Sequence, residues 1–392
     1  MTITVYLDSA DYSLLSEERL DGTQEKLRDA LFEFSRRPNL IFAYSGVHIS
    51  EMAPLRATYT SSASARVGVL SALCKRNALM STDQLVESEI RALSARSEVR
   101  LDIFRPDGSW FPDVGGIAKP SMGLSLMREI KGTIDSLAPN RKARRAARSN
   151  VWRGDSLRRK LADKLSTADL DNFLAIYPMR PADALTLNRY VFGLATPEDA
   201  DNAFFSSLRD PEWMMRWFAN HHDELNPIVQ WVRRPAEKLL ETMEGAIGEL
   251  KRYRIAGVSQ VDELLSIGGW KLAQDELLIK VANRIGAGLG LSQLTTSAED
   301  IDKFCPGLSA SVRTAHTSVR NSLLDGSRKL KKSDFVDALH CMYSPYIDVF
   351  RADKYTASIV RPLLKNHRTH VCSSLCQVTE VLKVMEAKGV AD

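Results

Sequence analysis

At 392 residues the chain is long enough for one compact α/β unit together with a helical domain or large insertion, and its 44% hydrophobic and 26% charged content is that of an ordinary globular protein. No apolar run approaches the roughly 18 to 20 residues of a membrane span, and the first residues enter a strand pattern with no basic leader, so a cytoplasmic protein is expected. The net charge of +4 does not by itself call for a nucleic-acid partner, and five scattered cysteines argue against a disulfide framework.

Ile3, Val5 and Leu7 alternate with Thr4 and Tyr6, which predicts a strand running into Asp8. Leu14 and Leu15 begin a helical stretch, Gln24 to Arg36 is an amphipathic helix with Leu27, Ala30, Leu31 and Phe34 inward, and Leu40 to Tyr44 is a second apolar strand. This is a βαβ opening, for which parallel strands are expected. Val47 to Ala53 then predicts the first turns of another helix, bearing His48 and Glu51.

From about Arg56 the strand signal fades and helix follows helix, with Val67, Leu70, Leu73 and Cys74 on one face and Leu277, Leu278, Val281 and Ile285 on another. Phe204, Phe205, Trp213, Met214, Met215, Trp217 and Phe218 read as the core of this region. The α/β pattern resumes near Ser333. A helix to Cys341 is followed by a strand at Ile347 to Arg351, a helix at Tyr355 to Leu364, a short strand at Thr369 to Cys372 and a terminal helix to about Lys388.

The two ends therefore look like halves of one domain, each carrying acids beside strands. Carboxylates placed close together repel one another, and a divalent cation among them makes that cost tolerable. Asp8 ends the first strand, Glu51 follows the second, Asp337 lies on the later helix and Asp353 ends the next strand, so all four can meet at the carboxyl edge of one parallel sheet. Hard oxygen ligands of this kind suit Mg²⁺ or Mn²⁺ rather than zinc. Two alternatives stay open on the residues alone: Asp334 in place of Asp337, and Asp348 in place of Asp353. Taken singly, Asp8 reads as a helix cap or turn residue, Glu51 as a solvated helix residue, and His48 and His340 as packing groups.

Asp8 at the end of an apolar strand, with Asp337, His340, Pro345, Tyr346, Asp348, Asp353 and Lys354 near the other end, resembles the PIN-domain nucleases. The resemblance covers residues 1–55 and 333–392. It implies a PIN-like parallel sheet sandwiched by helices and interrupted by a large all-α insertion over 56–332. It also implies a Mg²⁺ or Mn²⁺ site on Asp8, Glu51, Asp337 and Asp353, with Asp11, Ser45, His340 and Asp348 around it. Where the family often has Thr or Ser two residues before the fourth acid, this chain has Arg351, and Glu51 and Asp337 are far more widely separated than is usual for the family.

Between Arg141 and Lys160 the basic residues are opposed only by Asp155, and a second basic group, Arg328, Lys329, Lys331 and Lys332, precedes the C-terminal acidic helix. Arg141, Arg144, Arg145, Arg148, Lys331 and Lys332 are candidates for phosphate-backbone contact, with Trp152 as a base-stacking group, although charge runs are commonly no more than solvated faces. Together these features lead us to expect a metal-dependent nuclease acting on RNA rather than DNA, in the role of a toxin or defence effector. The alternative is an inactive PIN-like scaffold that binds nucleic acid or protein.

Overall fold

A computed structural model of the protein describes residues 2–54, 56–97, 101–111, 136, 140–153, 156–157, 179–191, 194–220, 248–257, 259–292, 294, 296–324 and 330–389. The chain divides into two compact units, one formed by 1–52, 65–112 and 230–392 and the other by 53–64 and 113–229. In the first unit lie β1 (Ile3–Tyr6), β2 (Leu40–Ala43), β3 (Ala78–Leu79), β4 (Phe104–Arg105), β5 (Val349–Arg351) and β6 (His370–Cys372). Four of these form a parallel sheet in the order β2-β1-β5-β6, so strands from the two ends of the sequence are neighbours. The two-residue strands β3 and β4 pair antiparallel, and a parallel bridge between Tyr44 and Ala78 links β3 to the edge of β2.

All four residues of β1 are buried, as expected of a central parallel strand covered by helices on both faces. Thr4 is polar in that setting, and Asp348 satisfies it. The Asp348 carboxylate accepts from the Thr4 backbone N–H at 2.8 Å and from its hydroxyl at 2.7 Å, and the Asp348 N–H donates to the same hydroxyl oxygen at 3.0 Å. Val5 and Tyr6 face Val349 and Phe350 across the ladder. Tyr6, Ala43, Leu79, Met80, Tyr343, Ile347, Phe350 and Val360 form the core around these strands.

In the first unit lie the helices α1 (Ser9–Leu15), α2 (Gly22–Ser35), α3 (Gly46–Met52), α4 (Thr82–Ala95), α6 (Ile267–Gly288), α7 (Ala298–Phe304), α8 (Pro306–Leu324), α9 (Lys332–Cys341), α10 (Lys354–Leu363) and α11 (Leu375–Gly389), and α5 (Arg141–Val151) belongs to the second unit. The expected strands and helices at both ends are present within one or two residues. The exception is α1, which starts at Ser9 and ends at Leu15 rather than beginning near Leu14. Asp8 and Asp11 form a capping box there, and a cap starts a helix whatever its apolar spacing.

The middle of the chain is largely helical. Residues 65–112 and 230–332 cluster with the sheet, and only 53–64 and 113–229 form the second unit. Ile90, Leu93, Leu278, Ala282, Ile301, Cys305 and Leu308 make a common core for α4, α6, α7 and α8. Glu89 on α4 is fully buried and accepts from the first N–H groups of α8, at Gly307 (2.6 Å) and Leu308 (2.9 Å), and from the Tyr346 hydroxyl. Gly307 is required at this contact, because a Cβ there would lie 2.5 Å from the Met342 carbonyl oxygen.

In the second unit Phe204, Met214, Met215, Trp217 and Phe218 are buried, as the aromatic clustering predicts. Arg180 ties that unit together through ion pairs to Asp183 (2.7 Å) and Asp210 (3.3 Å). No helix among the described residues is long and apolar enough to cross a membrane. Four of the five cysteines are buried and Cys376 is exposed, and none is in a disulfide.

Replacing Glu89 by Ala leaves two helix N–H groups and a tyrosyl hydroxyl without their buried acceptor. The expected loss of unfolding free energy is about 3 kcal/mol in a urea titration. A loss below about 1 kcal/mol would show that the Glu89 contacts do not hold α8 to the sheet unit.

Candidate metal centre

The strand ends deliver the acids. Asp8 follows β1 and caps α1, its Oδ1 accepting from the Ala10 N–H at 2.8 Å. Asp353 follows β5 and caps α10, accepting from the Thr356 N–H at 2.6 Å. Glu51 lies near the end of α3, the helix that follows β2, and Asp337 lies on α9. Because β1, β2 and β5 run parallel, the segments leaving them emerge at one carboxyl edge, where open α/β sheets gather their sites.

Asp337 registers this gathering. Burial pushes its carboxyl up to about 8, and although His340 pulls it down, Asp8, Glu51 and Asp353 each push it further up. Asp337 thus lies within electrostatic reach of Asp8, Glu51 and Asp353. No described residue donates a hydrogen bond to the Asp337 carboxyl, whereas the other three acids have partners.

Beneath the acids runs a buried polar chain. Glu51 Oε2 is 2.8 Å from His340 Nε2, and His340 Nδ1 is 2.6 Å from the Tyr6 hydroxyl, which in turn meets Ser45 Oγ at 2.7 Å. Burial alone would push His340 down, but the Glu51 carboxylate, with Asp8 and Asp337 beyond it, raises it above the ordinary imidazole range. Burial likewise pushes Glu51 up, and the hydrogen bond and charge of His340 bring it below the ordinary range. Glu51 and His340 therefore hold each other as an ion pair, and Tyr6 accepts from His340 while donating to Ser45.

His48 differs. It accepts from the Ser45 N–H at Nδ1 (3.1 Å) and donates from Nε2 to the Leu7 carbonyl (2.9 Å), and burial with His340 nearby pushes it down to about 3, so it is a neutral strut. Asp8 lies two residues beyond Tyr6, the last residue of β1, a spacing that could have pointed to Tyr6.

Arg351, at the end of β5, reaches Asp8 with Nη1 (3.2 Å) and Asp11 with Nη2 (2.7 Å). Burial pushes Asp11 up to about 7, with Arg351 opposing. Asp11 also accepts from the Asp8 N–H at 3.0 Å, so it braces the loop that carries Asp8.

The two alternative acids have structural partners. Asp334 is the third residue of the α9 cap, accepting from the Lys331 N–H at 2.7 Å, one turn short of Asp337. Asp348 stands level with Thr4 rather than with Asp8. Four residues separate those positions along the strand, which at about 3.3 Å per residue places Asp348 roughly 13 Å from the edge. Asp348 locks the strands through its bonds to Thr4.

Among the described residues no three His, Cys, Asp or Glu side chains converge closely enough to hold a metal ion as they stand. Asp8 is turned to Arg351, Glu51 to His340 and Asp353 to its helix cap. The donor chemistry nonetheless fits a hard divalent cation: the four acids offer only oxygen, they repel one another, and Asp337 has no competing donor.

Of the basic candidates, Arg141, Arg144 and Arg145 are exposed on α5, and Lys331 is exposed before α9. The side chains of Arg148, Trp152 and Lys332, and the whole of Arg158, Arg159, Lys160, Arg328 and Lys329, lie outside the described residues.

Since folding raises the proton affinity of Asp337, the native state binds more protons than the unfolded chain from the usual carboxylate range up to about pH 8, and stability from this group is lost as pH rises through that window. Without divalent cations, the thermal midpoint of Asp337→Asn is expected to fall less than that of the wild type between pH 6 and 8. Equal slopes in the two melting series would contradict the strained position of Asp337.

No protein-family model, no curated protein and no solved structure matches the chain, so the functional reading stands on its own residues and on this geometry.

Proposed function

We propose that the protein is a PIN-like, metal-dependent phosphodiesterase, a nuclease with RNA favoured over DNA, acting in the cytoplasm. The observation that supports this is the arrival of Asp8, Glu51, Asp337 and Asp353 from four elements at one sheet edge, with Asp337 feeling the fields of the other three. These four would hold Mg²⁺ or Mn²⁺. A bound ion of that kind supplies positive charge to a scissile phosphodiester and activates water for in-line attack.

The chain's own residues prepare the site. His340 keeps Glu51 ionised and fixes its carboxylate, and Tyr6 and Ser45 fix the imidazole from behind. Asp11 and Arg351 set the position of Asp8. Exposed Arg141, Arg144, Arg145 and Lys331, with Arg148, Lys332 and Trp152, are the proposed contacts to the nucleic-acid backbone and bases, binding without reading sequence and weakening as salt rises. The PIN-like reading implies products with a 5′-phosphate and a 3′-hydroxyl, and a toxin or defence effector is the proposed biological setting.

A second reading, an inactive PIN-like scaffold that binds nucleic acid or protein, is favoured by the engagement of Asp8 with Arg351. One experiment separates the two. Labelled single-stranded RNA and DNA are incubated with wild type and Asp8→Asn in Mn²⁺, Mg²⁺ and EDTA, the Asn being chosen because it retains the helix cap. Cleavage by the wild type only with metal, RNA cut faster than DNA, and at least about a hundredfold loss in the variant are expected. Equal cleavage by both proteins, or cleavage undiminished in EDTA, would refute the proposal.

A further inference from the structure

Among the described residues Arg351 is the cation placed against the aspartates of the β1 loop, and it does not sit there as a loose surface charge. Its side chain is 14% exposed, and those of Asp8 and Asp11 are 16% and 2% exposed. One nitrogen of the guanidinium goes to each carboxylate, and the Nε is buried with no partner among the described residues. The two acids are therefore what hold the fork. A planar guanidinium bridges two carboxylates with geometric precision and keeps its charge at every accessible pH.

Rigid elements carry all three residues. Arg351 ends β5, and Asp8 and Asp11 belong to the capping box that opens α1. Carboxylates shared by two ions clamp both sides of a phosphoryl group in two-metal sites, and that requires a second cation beside the first. Here the space between Asp8 and Asp11 already contains a fixed positive group.

We propose that the Arg351 guanidinium is a built-in counter-cation for the Asp8–Asp11 pair, so that the acidic cluster takes one divalent ion and not two. This rests on the metal-site reading for its second half only; the pairing with Asp8 and Asp11 stands without metal. Arg351 is thus a positioning residue. It fixes Asp8 and Asp11 and excludes a second ion by volume and charge.

The test has a metal-free arm and a metal arm. In EDTA, thermal melts are recorded for wild type, Arg351→Thr, Asp11→Asn and the double variant. Arg351→Thr is expected to lower the midpoint by roughly 5 °C, and adding Asp11→Asn to recover most of it, because the neutral Asn no longer needs a counter-charge. Additive losses in the double variant would overturn the counter-cation role.

In the second arm, Mn²⁺ binding is followed by the electron paramagnetic resonance of the free ion. One equivalent for wild type and for Arg351→Lys, and two for Arg351→Thr, are expected. Two equivalents in wild type, or one in a folded Arg351→Thr, would overturn the single-ion limit, and if Arg351→Thr does not fold the wild-type and Arg351→Lys counts decide it. If wild type binds no Mn²⁺, the metal-site reading and the single-ion limit fall together, and the EDTA melts alone decide the counter-cation role.

Discussion

Two strands from opposite ends of the sequence must pair in a single register before any of the acids can meet. β1 and β5 are joined through Val5–Val349 and Tyr6–Phe350, and the Thr4–Asp348 hydrogen bonds lock that alignment from the buried side. A slip of two residues would keep the faces buried yet carry Asp353 about 7 Å away from Asp8. Asp348 is thus an acid whose hydrogen bonds set the alignment on which the site depends.

Once the register is set, electrostatics governs the edge. Bringing Asp8, Glu51, Asp337 and Asp353 together is unfavourable, and the chain compensates in two places. His340 neutralises Glu51 within a buried chain that ends at Ser45, and Arg351 neutralises Asp8 and Asp11. Asp337 has no such hydrogen-bonded partner, and burial first, then Asp8, Glu51 and Asp353, push its carboxyl up with only His340 opposing. The convergence of acidic side chains on Asp337 is the basis for reading the edge as a cation site.

Much of this was legible in the sequence. Period-two alternation located β1, the apolar runs located β2 and β5, and the acids directly after β1 and β5 drew attention to Asp8 and Asp353. What stayed hidden was pairing. Alternation along a strand is blind to its alignment with a neighbour, so Asp348 and Asp353 could not be told apart, nor Asp334 from Asp337 before the capping geometry was seen. Strands of two residues such as β3 and β4 are too short for any period to show. The division of the helical middle follows from contacts such as Glu89 with the start of α8, more than two hundred residues away in sequence. Arg351 was visible only as a departure from the family pattern, and its partners came from the fold.

The central claim is that the two chain ends build one cation site. Crystals grown with Mn²⁺ and measured at the manganese absorption edge test it most directly. The account predicts a single anomalous peak bounded by Asp8, Glu51, Asp337 and Asp353. A peak elsewhere on the molecule, or none at saturating Mn²⁺, would contradict it.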